Sequence, residues 1–568
     1  MKRTLISAAL LVIAAGAFAQ NLNPTVVVTN TYTQEASGID KPALLLEVPD
    51  SVMKFNLDFD YAVQHTPYKG AYEFQPYLVQ LRPMPRATHE GKLYLNGGVG
   101  YTAHPELDVV WTPVRTGKFH LNVFGSHRSY LGYYRNLGIQ DFSVVPDGTR
   151  YSGASMHTNA GVDGVLGWGS GILTADLRYK HVLGADKIGQ FSNHIGQLTA
   201  RVKGNEDAPL AYEAGTRISA LTGTAHPNAP YSVISELHSL SDLTVGTHFG
   251  AHYLKLGVGV ETVSGGNEYA VDLAFIPRYV FSVLKFRFDL GVRLSYIFRS
   301  SESPYGANKR DWVFPEAHVS YSLFSDALVL QAAATGGDRL NVYTDMLESN
   351  PYLMGFLGQE TLTNSTERFN LMIGARGHIA KKFSYDLKAG WSYWKDGLLY
   401  GFRPNLLLEE NPGENPEAQQ APAWLPTIAY APHYHQLYTD LTVGWKSQHI
   451  DIDGHLLYRY TTIDQPCAFA PPALSGQLKA MYIWGGRIRA GVTVSGITNR
   501  TTRMDEAQDA PLLTLPGWVD LGLLGDLQMT EKLGLWVKMG NLLNQTVSPV
   551  PFHAENGIWF SVGARLNF

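Results

Sequence analysis

From Leu284 to Phe298 the chain alternates without a break. Leu284, Phe286, Phe288, Leu290, Val292, Leu294, Tyr296 and Phe298 occupy one parity, and Lys285, Arg287, Asp289, Gly291, Arg293, Ser295 and Ile297 the other. Period two puts successive side chains on opposite faces of a strand, so this segment has one apolar face and one charged face. A globular strand runs ~5 to 6 residues and a tilted membrane strand ~9 to 11, so the length suits a membrane. Turning Lys285, Arg287 and Arg293 toward lipid would cost roughly 2 to 4 kcal/mol each at the bilayer midplane. The apolar set therefore faces lipid and the charged set an enclosed interior.

The same rhythm recurs in Lys92 to Tyr101, Phe383 to Trp394, Ile450 to Tyr460 and Ile558 to Phe568. Composition agrees: 17% charged, 12% aromatic, 56 Gly and a single Cys, Cys467, in 568 residues. These values exclude a coiled coil, a disulfide-stapled domain and a disordered acidic chain. No window reaches the ~18 to 20 apolar residues of a spanning helix, which excludes a helical inner-membrane protein. A net charge of -5 carries no footprint for nucleic acid. The fold expected is all-β, a transmembrane antiparallel β-barrel over residues 91–568.

Residues 1–19 have the parts of an export signal: Lys2 and Arg3, an apolar stretch from Leu5 to Ala15, and Ala17-Phe18-Ala19 before the expected cleavage at Gln20. Tight turns are expected at 167–171, 204–207, 324–326, 380–382, 447–449, 485–486 and 530–532, where Gly, Asn, Asp, Ser and charged residues separate alternating windows. Further turns are expected near 113–118, 250–253 and 277–282. With a leading strand near residue 91 and a closing strand at 557–568, they predict about 22 strands, range 20 to 22. Longer connections are expected at 127–154, 336–365 and 397–432. The last is rich in Pro, which argues for a surface loop, and contributes Trp424 and Tyr430 as candidate ligand contacts.

The end of the chain carries a resemblance. Val519-Asp520-Leu521-Gly522, then Leu535 through Asn544 with Asn541-Leu542-Leu543-Asn544, then Asn556 through Phe568, resemble the closing hairpin of TonB-dependent outer-membrane receptors. Phe560, Val562, Leu566 and Phe568 resemble the signal that the barrel-assembly machinery reads during biogenesis. The resemblance implies a 22-stranded barrel in the cell outer membrane, in contact with outer-membrane lipid and lipopolysaccharide, of a Bacteroidota type. It departs at the N-terminus, where residues 20–90 are too few for a complete plug. Thr25-Val26-Val27-Val28-Thr29 resembles an energy-coupling box, but without a full plug TonB coupling is in doubt.

So wide a lumen needs closing. Residues 20–90, with the amphipathic run Met53, Phe55, Leu57, Phe59 and Tyr61, inward-folded loops or a partner protein could each do it. The lumen-facing charges expected, Lys285, Arg287, Asp289, Arg293, Asp451, Asp453, Arg459 and Arg565, are of mixed sign and read as ion pairs rather than a selectivity ring. No GxSxG, HExxH, P-loop or GxGxxG pattern stands in a fitting context, and His433-Tyr434-His435 is the nearest thing to a metal pair. No catalytic, metal or cofactor site is therefore expected. The function expected is outer-membrane transport of a solute. The alternative is a scaffold subunit of a stable outer-membrane complex, such as the barrel-assembly or surface-export machinery. A barrel enzyme comes third.

Overall fold

The computed structural model describes residues 92–568 except 102, 187–189, 206–207, 225–234, 251, 266–267, 301–311, 325–326, 354–363, 381, 405–423, 464, 505–510 and 556. The export signal, the coupling-box stretch and the 20–90 segment lie outside the described residues.

Twenty-two antiparallel strands form one closed ring from Leu93–Tyr101 to Trp559–Asn567. The ring closes where the last strand pairs with the first, in a register that sets Tyr101 against Phe560 and Gly98 against Gly563. Leu93 N–H donates to Phe568 O at 3.0 Å and Phe568 N–H to Leu93 O at 2.8 Å, so no edge is left open there. Three short strands, Arg500–Arg503, Leu512–Leu515 and Ala554–Glu555, sit above the ring in its long connections.

One end of the barrel carries short turns and the other carries long connections. The tight turns fall where the alternation stops, with one displacement. The turn expected within 277–282 lies at Leu284-Lys285, because Pro277 is inside the strand Glu268–Val283, opposite Leu256. Leu284 takes a positive φ of 56° and is 96% exposed, so it turns the chain instead of opening the next strand.

Alternation along the strands becomes two surfaces. Leu290, Val292 and Leu294 are about 40% exposed on the outer skin, while Ser295 and Ile297 are buried. Aromatic rings border that skin at both ends. Phe281 stacks on Phe288 at 4.9 Å and Phe286 on Tyr321 at 4.2 Å near the short turns. Tyr296 meets Phe298 at 4.5 Å and Trp312 at 5.5 Å near the long connections. From Phe286 to Tyr296, at ~3.4 Å per residue and ~40° of tilt, the two belts are ~26 Å apart, the height of the apolar band of an outer-membrane barrel.

Two expected loops are strands. Residues 127–154 belong to a tall hairpin, Phe119–Gln140 and Ser143–Trp168, turned by Asp141 and Phe142 at positive φ. Residues 397–404 and 424–432 likewise extend Phe383–Pro404 and Trp424–Lys446. Pro432, which has no N–H to give, lies between the ladder pairs Lys395 with His433 and Gly397 with Ala431, facing Asp396 at a positive φ of 48°. The connection after Val329–Leu340 contains the short helix α1, Tyr343–Ser349.

Candidate functional site

The segment 341–353 behaves as a strap. Its helix has no side-chain cap of its own: Val342 precedes it, and Glu236 of the strand Ser235–Phe249 supplies the acceptor from the barrel wall. Tyr343 N–H donates to Glu236 at 2.7 Å, Thr344 N–H at 3.1 Å and the Thr344 hydroxyl at 2.9 Å. A carboxylate there answers both the orphan donors and the positive end of the helix. Farther along, Lys180 donates to Glu348 at 2.6 Å and Ser349 Oγ lies 2.8 Å from the Tyr400 hydroxyl.

The strap ends on an aromatic latch. Tyr352 OH donates to Tyr134 OH at 2.8 Å, and its ring stacks on His553 at 3.8 Å. His553 Nε2 in turn lies 3.1 Å from Asp186. Burial raises the Tyr352 phenol far above its ordinary pKa, so it stays a hydrogen-bond donor. Tyr134 is on the third strand of the ring and the strap leaves the thirteenth, so nine of the 22 strands lie between its two attachments, nearly half the circumference.

Around the strap the outer connections share one apolar core. Met346, Leu347 and Leu353 pack with Val182, Ile195 and Leu221 of the wall, Leu399 and Phe402 of Phe383–Pro404, Tyr430 of Trp424–Lys446, Phe469, Leu513, Leu515 and Phe552. Fully burying side chains of this size contributes about 1.5 to 3 kcal/mol each. Tyr430 is therefore not a loop contact: it sits in a strand, 6% exposed, inside this cap. Trp424 opens the same strand rather than standing in a loop.

Below the cap the wall is polar and cross-linked. Lys538 donates to both oxygens of Glu106 at 2.6 and 2.7 Å, Arg128 reaches Asp108 at 2.7 Å, and Asn96 joins Asp108 at 3.0 Å and the Trp536 indole N–H at 2.7 Å. This chain of bonds crosses the seam between the first and last strands. Arg565 holds Asp526 at 2.5 and 2.7 Å, Arg293 lies 3.4 Å from Asp272, and Asp289 lies 3.8 Å from Arg278. Asp451 stands opposite Lys446 in the ladder and Asp453 opposite Lys479, while Arg459 is opposite Tyr438. Arg287 is exposed near the rim, opposite Ser282 and Ser320. Lys285 is a correction: it belongs to a turn, where it donates to Leu323 O at 3.2 Å, and not to the lumen wall.

On the closing strand, Phe560 stacks on Tyr101 at 6.1 Å, Val562 and Phe568 are about half exposed, Leu566 lies opposite Leu95, and the Phe568 ring has Lys532 Nζ 5.6 Å from its centre. The Asn541 side chain accepts the Gln545 N–H at 2.9 Å and donates to Gln545 O and Gly557 O, and Asn541 N–H donates to Asp520 at 2.5 Å. The Asn-Leu-Leu-Asn run thus ties the last outer connection to the strand below it. His435 stacks on Trp391 and Tyr393. Among the described residues no group of three or more His, Cys, Asp or Glu is placed to hold a metal.

Neither the strap nor the cap was expected as a unit. The signal available was the apolar run Leu398-Leu399-Tyr400-Gly401-Phe402 inside a Pro-rich stretch, which is more apolar than a solvated loop needs.

No protein-family model and no curated protein matches the chain. Solved structures do resemble it. A variant of the ferric enterobactin receptor PfeA from Pseudomonas aeruginosa superposes with a TM-score of 0.57 at 12% identity, covering 84% of this chain and 80% of that one. The FrpB iron transporter from Neisseria meningitidis, in its apoprotein form, gives 0.62 at 9% identity over 85% of this chain and 82% of that one. The copper transporter OprC gives 0.56 at 13% identity over 85% and 82%. At such identities the likeness concerns architecture, and the barrel has the fold of the TonB-dependent outer-membrane receptors.

Proposed function

We propose that this protein moves a solute across the outer membrane through a barrel that its own folded connections hold shut from outside. The observation that carries the reading is the pairing of a charged, ion-paired wall with an apolar cap that, among the described residues, stands at one end. A barrel meant merely to be filled has no need of a polar wall below a separate lid, whereas a gated path needs both. Short turns face the periplasm in such barrels, which places the cap at the cell surface. The structural relatives are a ferric enterobactin receptor, an iron transporter and a copper transporter, which favours transport over enzymatic chemistry.

Single-channel recording in planar bilayers tests it. Wild-type protein is expected to stay closed, and Leu347→Asp, which puts a charge into the middle of the cap, to open discrete conducting steps. The second reading, a scaffold subunit, draws on how tightly the strap is tied to the wall. It predicts a barrel that stays silent even with Leu347→Asp and that is extracted with stoichiometric partners.

A further inference from the structure

The strap's one ion pair among the described residues works against the helix that carries it. Glu348 sits in the last turn of Tyr343–Ser349, the negative end of the helix, where a cation would be favoured. Asp345, of the same sign, lies three residues earlier on the same face. Neither placement helps the helix, so the reason for a carboxylate at 348 lies in what it meets. It meets Lys180 of Gly171–Ala185, whose Nζ donates to Glu348 Oε1 at 2.6 Å.

The surroundings of that pair are unfinished. Lys180 is two residues nearer the short turns than Val182, a cap residue on the same face of the same strand, so the pair lies where the apolar cap gives way to the polar wall. In the ladder Asn159 is opposite Lys180 and His157 opposite Val182, and directly opposed residues share a face. Asn159 Oδ1 and His157 Nε2 are shut off from solvent, and among the described residues neither has a hydrogen-bond partner. Polar atoms left in that state are costly and rare. The ion pair itself is accessible: the Lys180 side chain is 18% exposed and that of Glu348 34%, which makes it a weak and exchangeable bond. The neighbouring cations are already engaged. Arg178 donates to Asp176 at 2.6 and 2.8 Å, and Arg128, opposite His157, to Asp108 at 2.7 Å.

We propose that Glu348 is a built-in competitor: Lys180, Asn159 and His157 form a binding site for a hydroxylated carboxylate solute, which frees the strap by taking the place of Glu348 on Lys180. The carboxylate follows from the group that the chain itself seats there. The hydroxyl follows from Asn159 and His157, because a hydroxyl both donates and accepts and so suits an amide oxygen and an imidazole nitrogen of either tautomer. Such a solute binds the released strap and not the docked one, and that difference in affinity is what shifts the lid. This assignment rests on the strap being the lid of a solute path.

Calorimetric titration of purified full-length protein with D-glucuronate tests it, with D-glucose as the uncharged counterpart. Glu348→Gln removes the competitor and is expected to bind glucuronate about tenfold more tightly than wild type. Adding Lys180→Gln to that variant is expected to cancel the gain. In wild type, glucuronate is expected to speed hydrogen exchange within 341–353, and sodium chloride at equal ionic strength is not. Heat-modifiable migration confirms that the barrel of each variant has folded. Equal affinity of wild type and Glu348→Gln overturns the proposal and makes the ion pair a plain fastener. So does a gain that survives Lys180→Gln, equal binding of glucose, or loosening of the strap by salt alone. None of these readouts depends on conductance. Silence of Leu347→Asp in bilayers would remove the solute path, whereas failure of glucuronate here would remove this site alone.

Discussion

Lys538 and Glu106 meet across the seam of the barrel, the lysine donating to both carboxylate oxygens at 2.6 and 2.7 Å although 432 residues separate them in the chain. Each is at most 10% exposed at its side chain. Arg128 lies 3.6 Å from the same carboxylate, so the pair is the centre of a wall network and not an isolated bridge. Removing one partner of a buried pair strands the other, at a cost of about 3 to 5 kcal/mol in a dry interior and less where water enters a lumen. Lys538→Met is therefore expected to destabilise the barrel by about 2 to 3 kcal/mol, read from urea unfolding in lipid vesicles. Lys538→Arg is expected to recover most of the loss.

The seam also depends on two glycines. A Cβ at Gly98 would run into the Trp536 ring, and one at Gly563 into both that ring and the Gly97 carbonyl. Gly98→Ala and Gly563→Ala are both expected to reduce the fraction of folded, heat-modifiable barrel. Adding Trp536→Ala relieves the ring contact, so it is expected to lessen the Gly563→Ala defect only in part, because the backbone clash persists.

Glu236 anchors the strap from the wall. Glu236→Ala removes the acceptor for two backbone donors and a hydroxyl and is expected to weaken the cap by about 1 to 2 kcal/mol, the size of a helix-cap loss. Limited proteolysis of intact cells or outward-facing vesicles is expected to cut within 341–353 faster in this variant. The barrel strands should keep their wild-type resistance.

Adjacent residues on one strand should respond oppositely to charge. Val292→Arg places a cation on the lipid skin and is expected to cost about 2 to 4 kcal/mol near the midplane. The neighbouring Arg293→Gln takes the cation from Asp272 and Asp338, both of which keep the Ser295 hydroxyl, at 2.6 and 3.3 Å, and is expected to cost about 1 kcal/mol. Folding titrations in vesicles compare the two directly.

Where strands have lipid on one side and the lumen on the other, their alternation is legible in the residues, and the turns between them account for the ring. Legibility fails where both faces of a strand meet protein. Leu398, Leu399, Tyr400 and Phe402 are all buried, so the upper part of Phe383–Pro404 shows no alternation and reads as a loop. Pro426 and Pro432 add to the disguise, since their strand is tolerated only where ladder donors are not needed. The cap itself is built from Ile195, Leu347, Phe469 and Phe552, residues far apart in sequence, and only closure of the ring brings them together.

The lipid-clad closed barrel is tested most directly by a spin-label scan. With Cys467 replaced by Ser, single cysteines introduced from Phe286 to Phe298 are labelled and their collision with oxygen and with a water-soluble nickel complex is measured in bilayers. Positions 290, 292 and 294 are expected to favour oxygen and positions 289, 291 and 293 the nickel complex, alternating residue by residue. Equal accessibility along the strand, or a period of 3.6, would contradict the account.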